Sequence, residues 1–287
     1  MSSGIVIGMV VGEDFDHLSK NLPFYGRSPG FDKVAITSST NEKLLSLLRE
    51  YGFEVHHKEF TNYSDQRNKL LTAVGPRWLL QLDADERPEP QLLEEVKAVA
   101  DDEGNRSSIL LLPRKNFFMN RLMLHGRQYP DYIPRYFYNE DVHYEGLVHE
   151  RLVHSKKTKH LKASILHFGD DDISTRLYKV VKYSVSEAKE MTRCPSLPEL
   201  LVRPAGFFLV SLFRDRAFLD GIPGIVWLIQ ATICYELKFL IAYYWSYKKR
   251  VTYRDAQWNG EALPGGQGMK GEGVLPRGSV GHQGNGR

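Results

Sequence analysis

The chain has 287 residues, of which 42% are hydrophobic and 25% charged, with a formal net charge of +3. That is the composition of a globular protein with a sizeable core, and the mild positive charge does not by itself point to nucleic acid. Two cysteines, Cys194 and Cys234, exclude a disulfide scaffold and a cysteine-rich zinc module.

The apolar stretch Ile5–Val11 is too short for a signal peptide, lacks a basic segment before it, and reads as a buried first strand. A helix is expected over about 16–21, ending before Pro23, and a second strand over 33–37. Residues 41–51 predict a helix capped by Asn41, with Leu44, Leu45, Leu47 and Leu48 as its apolar face and Gly52 as its stop. A third strand is expected over 53–56, a helix over 64–74 stopped by Gly75 and Pro76, and a fourth strand over 78–82. The fourth strand is nearly all apolar, as a strand covered on both faces should be. This alternation predicts an α/β fold, a mainly parallel, Rossmann-like sheet with helices on both faces. Ligands bind such sheets at the carboxyl ends of the strands.

Directly after the fourth strand, Asp83, Asp85 and Glu86 place three carboxylates within four residues. Clustered like charges at the end of a buried strand need a cation or donors. Hard oxygen ligands suit Mg²⁺ or Mn²⁺ shared with a substrate diphosphate. A plainer reading makes Asp85 and Glu86 caps of a helix starting near Pro90.

The stretch Tyr63-Ser64-Asp65-Gln66-Arg67-Asn68, then Trp78-Leu79-Leu80-Gln81-Leu82-Asp83-Ala84-Asp85-Glu86, resembles family-two glycosyltransferases of the GT-A fold. The nearest subgroup is the lipopolysaccharide-core β-glucosyltransferases. The likeness continues through His125-Gly126-Arg127-Gln128-Tyr129-Pro130-Asp131, Arg135-Tyr136-Phe137, Gly146-Leu147-Val148-His149-Glu150 and Ile165-Leu166-His167, to Phe218-Leu219-Asp220-Gly221. It departs from the family at Gly12-Glu13, at Ile36 in place of an Asp, and at Ser39-Thr40-Asn41.

The resemblance implies an inverting, metal-dependent hexosyltransferase with a nucleotide-diphosphate sugar donor, a UDP-sugar for choice, and Mn²⁺ or Mg²⁺ as cofactor. It implies Asp85 and His167 as metal ligands, and Val11, Glu13, Thr37, Asp65, Arg67, Asp83, Ala84 and Arg135 around the nucleotide and sugar. Glu150 is the expected catalytic base, with Asp131 as competitor and His149 to orient it or to contact phosphate. Asp170-Asp171-Asp172 reads as a solvated helix cap, and Lys156, Lys157, Lys159 and Lys162 as a hairpin turn.

Three regions are expected: a GT-A catalytic domain over 1–170, a helical region over 171–254, and a disordered glycine-rich tail over 255–287. Within the helical region, 222–245 has the length of a membrane span, but Gln230, Glu236 and Lys238 interrupt it. Its aromatic residues and the following Lys248-Lys249-Arg250 suit a membrane-lying module. A buried hairpin or a homodimer interface is the alternative. The sequence therefore points to a protein peripheral to the cytoplasmic face of a membrane, with a glycan or glycolipid acceptor and no nucleic-acid partner. Two rival readings remain: a degenerate glycosyltransferase-fold scaffold, and a metal-dependent nucleotidyl- or phosphotransferase.

Overall fold

The computed structural model describes residues 4–146, 150–169 and 173–258. The chain divides into two compact units, residues 1–171 with 215–224, and residues 172–214 with 225–287.

The first unit begins with β1 (Ile5–Val11), α1 (Phe15–Tyr25), β2 (Asp32–Thr37), α2 (Glu42–Glu50), β3 (Glu54–His57), α3 (Tyr63–Val74) and β4 (Trp78–Asp83). It continues with β5 (Glu86–Pro88), α4 (Pro90–Asp101), β6 (Ser108–Phe118), β7 (Arg121–Leu122), β8 (Asp131–Tyr138), β9 (Val142–Glu145), β10 (Arg151–His154), β11 (Lys157–His160) and β12 (Ile165–Phe168). The main sheet runs β3-β2-β1-β4-β8-β6-β12-β5, with β7 and β11 paired to β6. Neighbours are parallel from β3 to β4, and β8 enters antiparallel between β4 and β6. β9 and β10 form a separate antiparallel ribbon.

The period of two along β1 explains the layering. Ile5, Ile7, Met9 and Val11 face one core with Leu18 and Leu22 of α1, Leu44 and Leu48 of α2, and Leu92 and Val96 of α4. Val6 faces the other with Val34, Ile36, Leu79, and Leu70 and Val74 of α3. Gly8 lets α3 lie close to the sheet, because a Cβ there would stand 2.4 Å from Leu79 Cδ1 and 3.1 Å from Leu70 Cδ2.

Three local expectations are corrected. The first helix does not end before Pro23 but runs through it to Tyr25. Leu22 and Tyr25 are fully buried, and that packing outweighs the cost of a proline in the last turn. The basic run is no hairpin, because β10 pairs with β9 whereas β11 lies parallel to β6 in the main sheet. Lys156 Nζ donates to Tyr138 O at 2.8 Å and Lys159 Nζ to Asn105 Oδ1 at 2.7 Å, so these two lysines brace the fold. The tail assigned to 255–287 is helical over its first residues, because the last helix reaches Trp258; the remainder, like Asp170, Asp171 and Asp172, lies outside the described residues.

The second unit contains α5 (Ile173–Glu190), α6 (Leu197–Leu209) and most of α7 (Gly221–Trp258). Ser196 and Glu199 close a capping box at the start of α6. Lys238 of α7 pairs with Glu187 of α5 at 2.5 Å, and Phe207 stacks on Tyr235 at 4.9 Å. Leu201, Val202, Phe213, Ile229, Ile233 and Leu240 are exposed. Among the described residues one helical stretch, Ala217–Lys249, is long and apolar enough to cross a membrane, by length and composition.

Leu80 sits fully buried on the central strand β4. Leu80→Ala is expected to lower unfolding free energy by about 2–5 kcal/mol, read by urea denaturation.

Candidate active site

The strand order reverses at β1, with β2 on one side and β4 on the other, which opens a crevice at their carboxyl ends. Register places Val11 opposite Thr37, and Val10 between Ile36 and Asp83. Glu13 is exposed just beyond β1. Thr37 is buried, and its Oγ1 accepts from Ser39 N at 3.0 Å. Ser39 Oγ accepts from Asn41 N, and Asn41 caps α2, so the Ser39-Thr40-Asn41 segment shapes a turn. Ile36 packs in the core against α3.

The carboxylates after β4 do not cap α4, whose N-cap is Glu89. Glu86 is wholly buried, accepting from Asp83 N at 3.0 Å and from Arg135 Nη2 at 2.9 Å. Arg135, from β8, also donates to Asp83. Arg67, from α3, donates to Asp83 Oδ1 at 3.2 Å and through Nε to Glu150 Oε1 at 3.1 Å. Burial pushes the Asp83 carboxyl up, but Arg135 and then Arg67 outweigh it and hold it well below the usual carboxylate range. Asn68, next to Arg67, clamps Tyr144, donating to its carbonyl at 2.9 Å and accepting from its amide at 2.7 Å. That clamp fixes the backbone of β9 at Tyr144.

A second group of side chains follows from sheet register. Arg114 of β6 stands opposite Asp131 of β8 and donates to its Oδ2 at 2.9 and 2.7 Å; its Nη1 lies 3.6 Å from Glu86. Asn116 of β6, His167 of β12 and Glu86 of β5 form one row across three strands. His167 Nδ1 lies 2.8 Å from Asn116 Oδ1, and its Nε2 lies 3.2 Å from Asp85 Oδ2. A single polar network thus links Asp85, His167, Asn116, Asp131, Arg114, Glu86, Arg135, Asp83, Arg67 and Glu150.

Two features of this network bear on what it could hold. Asn116 Nδ2 donates to Gln128 O and Asp131, so Oδ1 is its acceptor and His167 Nδ1 carries the proton. A neutral His167 then turns the lone pair of Nε2 towards a carboxylate oxygen, and only a proton or a cation between them satisfies both. Moreover, five carboxylates face three guanidiniums, an excess of two negative charges. Among the described residues no group of three or more His, Cys, Asp or Glu converges as a cage, so a cation here would take two protein ligands and leave positions for substrate oxygens.

Asp65 is not brought into the network, since it pairs with Lys58 at 2.9 Å and accepts from Thr61 at 2.5 Å. Ala84 takes part through its carbonyl, which accepts from the buried Asn21 at 2.9 Å. His149 lies outside the described residues. Sequence reasoning missed Asn21, Arg114 and Asn116. The last two had a signal, the polar run Arg114-Lys115-Asn116 in a strand that begins Ser108-Ile109-Leu110-Leu111-Leu112.

A curated relative, the lipopolysaccharide core biosynthesis glycosyltransferase LpsC of Rhizobium meliloti (strain 1021), is 24% identical over 217 residues, covering 67% of this chain and 75% of its own length. The chain resembles glycosyltransferases of lipopolysaccharide-core type. An uncharacterized glycosyltransferase of Rickettsia bellii (strain RML369-C) is 22% identical over 208 residues, covering 67% of this chain and 70% of the relative. No protein-family model matches. Among solved structures, S. aureus TarS 1-349 in complex with UDP-GlcNAc aligns with 94% of this chain and 98% of that one, at 13% identity and a TM-score of 0.44. That structural likeness is too loose to carry function. The sequence relatives support a glycosyltransferase, and the two-faced, mostly parallel sheet has the GT-A architecture expected of one.

Arg135→Met takes from the buried Glu86 the arginine hydrogen-bonded to it and removes one of two cations beside Asp83, and should cost about 3–5 kcal/mol at pH 7 in urea denaturation. The depressed folded pKa of Asp83 means its share of stability is in place above its unfolded value of about 4 and is lost as pH falls below it. The gap between wild type and variant should therefore narrow on acidification.

Proposed function

We propose that the chain is an inverting, divalent-metal-dependent glycosyltransferase that moves a hexose from a nucleoside-diphosphate sugar, a UDP-sugar, to a lipid-linked or cell-surface glycan. The observation that carries this reading is the Asp85–His167 pair, Nε2 lying 3.2 Å from Oδ2 in a network where five carboxylates face three guanidiniums. Mn²⁺ or Mg²⁺ is the cation proposed for that pair, Mn²⁺ being favoured by the imidazole. When bound, it neutralises the departing diphosphate.

The remaining work falls to the chain's own residues. Asp83, pinned by Arg67 and Arg135, presents an ionised carboxylate at the strand end for a ribose or sugar hydroxyl. Val11 and Thr37 supply the neighbouring wall at the ends of β1 and β2. The acceptor hydroxyl must lose its proton to a base, and a single displacement inverts the anomeric centre. Glu150 and Asp131 are the carboxylates the sequence offers, and each stands in an arginine pair.

The exposed apolar residues of α6 and α7 support a membrane-lying role for the helical unit, on the cytoplasmic face where nucleotide sugars are used. The full chain should sediment with vesicles containing anionic lipid. A chain that stays in the supernatant and sediments as a dimer would reassign these helices to a subunit interface.

Thermal unfolding with a panel of UDP-hexoses, with and without Mn²⁺, tests the donor site. Stabilisation by one nucleotide sugar, dependent on Mn²⁺ and absent in Asp85→Ala, is expected, worth about 2.7 kcal/mol at a hundredfold excess over Kd. No shift with any nucleotide on folded protein would favour the scaffold reading. Binding accompanied by transfer at phosphorus would favour the phosphotransferase.

A further inference from the structure

A second imidazole–carboxylate pair stands on the loop that follows β7. Asp220 is 3% exposed. Its Oδ2 accepts from the backbone amides of Leu124 at 3.0 Å and His125 at 2.8 Å, and its Oδ1 lies 2.8 Å from His125 Nδ1. An oxygen that can only accept at that distance assigns the ring proton to Nδ1. Nε2 is left with its lone pair, and among the described residues it makes no hydrogen bond. The ring is one-third exposed. A carboxylate that fixes tautomer and orientation while the far nitrogen stays available is the arrangement that makes histidine an effective base.

The loop is built at a cost. Gly126 and Arg127 both have positive φ, and Arg127 is not glycine. For a residue with a side chain such a conformation costs about 1–3 kcal/mol and persists where surrounding contacts over-determine it. The contacts here come from 215–224. Besides Asp220, Asp215 O accepts from Gly126 N at 2.8 Å, and Asp215 Oδ2 accepts from Arg127 Nε at 2.6 Å. The segment is itself tightly folded, because a Cβ on Gly224 would stand 2.1 Å from Ala217 O.

The same loop is laced to the strand-end network. Met123 N donates to Asn116 O at 2.9 Å, Gln128 N to His125 O at 3.1 Å, and Asn116 Nδ2 to Gln128 O at 3.1 Å. Asn116 is the residue that holds His167. The carboxylates near this point are committed elsewhere. Protonating Glu150 would leave Arg67 short of one counter-charge, and protonating Asp131 would do the same to Arg114, each in a part-buried setting.

We infer that His125, oriented by Asp220, is the catalytic base. Its Nε2 takes the proton of the acceptor hydroxyl, the acceptor oxygen forms a bond to the anomeric carbon, and the bond from that carbon to the diphosphate oxygen breaks, its electron pair leaving with the nucleoside diphosphate. Asp220 is a positioning residue. The inference rests on the proposed glycosyl transfer.

The test uses His125→Asn in the full chain, with UDP-glucose and UDP-N-acetylglucosamine as donors, Mn²⁺ present, and water standing in for the acceptor. Asparagine keeps an N–H near the place of Nδ1 and loses Nε2, so the tie to Asp220 survives while the base does not. UDP release should fall by roughly 100-fold or more, with thermal midpoint and donor-induced stabilisation unchanged. Release close to the wild-type rate overturns the inference and leaves the proposed function standing. A wild-type chain that no UDP-sugar stabilises overturns both. If His125→Asn does not fold, His125→Ala is assayed with and without imidazole: release restored by imidazole supports the inference, and release close to the wild-type rate without it overturns it.

Discussion

The structure depends on how one wholly buried carboxylate is neutralised. Glu86 follows β4 by three residues, with no exposure to water, and a lone charge there would be prohibitive. Arg135 answers it from β8 and Arg114 approaches from β6. Both arginines are available because β8 enters antiparallel beside β4 and β6 follows it. The antiparallel insertion and the buried charge are therefore one arrangement. With Glu86 fixed, β5 pairs with β12, and that pairing sets His167 in the row of Glu86 and Asn116.

The result is a site whose geometry is carried by strands. Asp83, Arg114, Asn116, Asp131, Arg135 and His167 all project from sheet positions whose register is fixed by two packed faces. Arg67 adds one tie from α3, whose close approach Gly8 permits. Preorganisation of this kind suits electrostatic catalysis, because dipoles and charges need not reorganise as the leaving group develops charge. The proposed cation completes the balance. Without it the network carries two uncompensated negative charges, and a diphosphate would add to the repulsion.

Local patterns in the sequence predicted much of this. The β1-to-β4 repeat was legible because each strand is a short apolar run bounded by caps, Asn41 at α2 and Gly75 after α3 among them. The clustering of Asp83, Asp85 and Glu86 just beyond a buried strand was legible in the same way. The roles of Arg114 and Asn116 were hidden, because they depend on which strands become neighbours, and β8 and β12 reach β6 from far along the chain. Pro23 misled for the opposite reason: a strong local stop signal lost to the burial of Leu22 and Tyr25. The lysine run misled because adjacent strands β10 and β11 joined different sheets.

The segment 215–224 is the part that no local pattern announces. It lies beyond α5 and α6 in sequence, yet it belongs to the sheet unit and supplies Asp215 and Asp220 to the loop over 123–127. Chain topology thus makes one loop of the sheet unit dependent on residues flanked on both sides by the helical unit's sequence. If His125 is the base, the strain in its loop has a use, because a relaxed loop would let the ring turn and lose the hydrogen bond that fixes its tautomer. A buried aspartate holding two backbone amides and one ring nitrogen answers both needs with a single side chain. The coupling also constrains substitution. A change at Asp220 releases the backbone and the ring together, whereas a change at His125 that retains an N–H at the same place releases neither, and only the second separates a catalytic role from an architectural one.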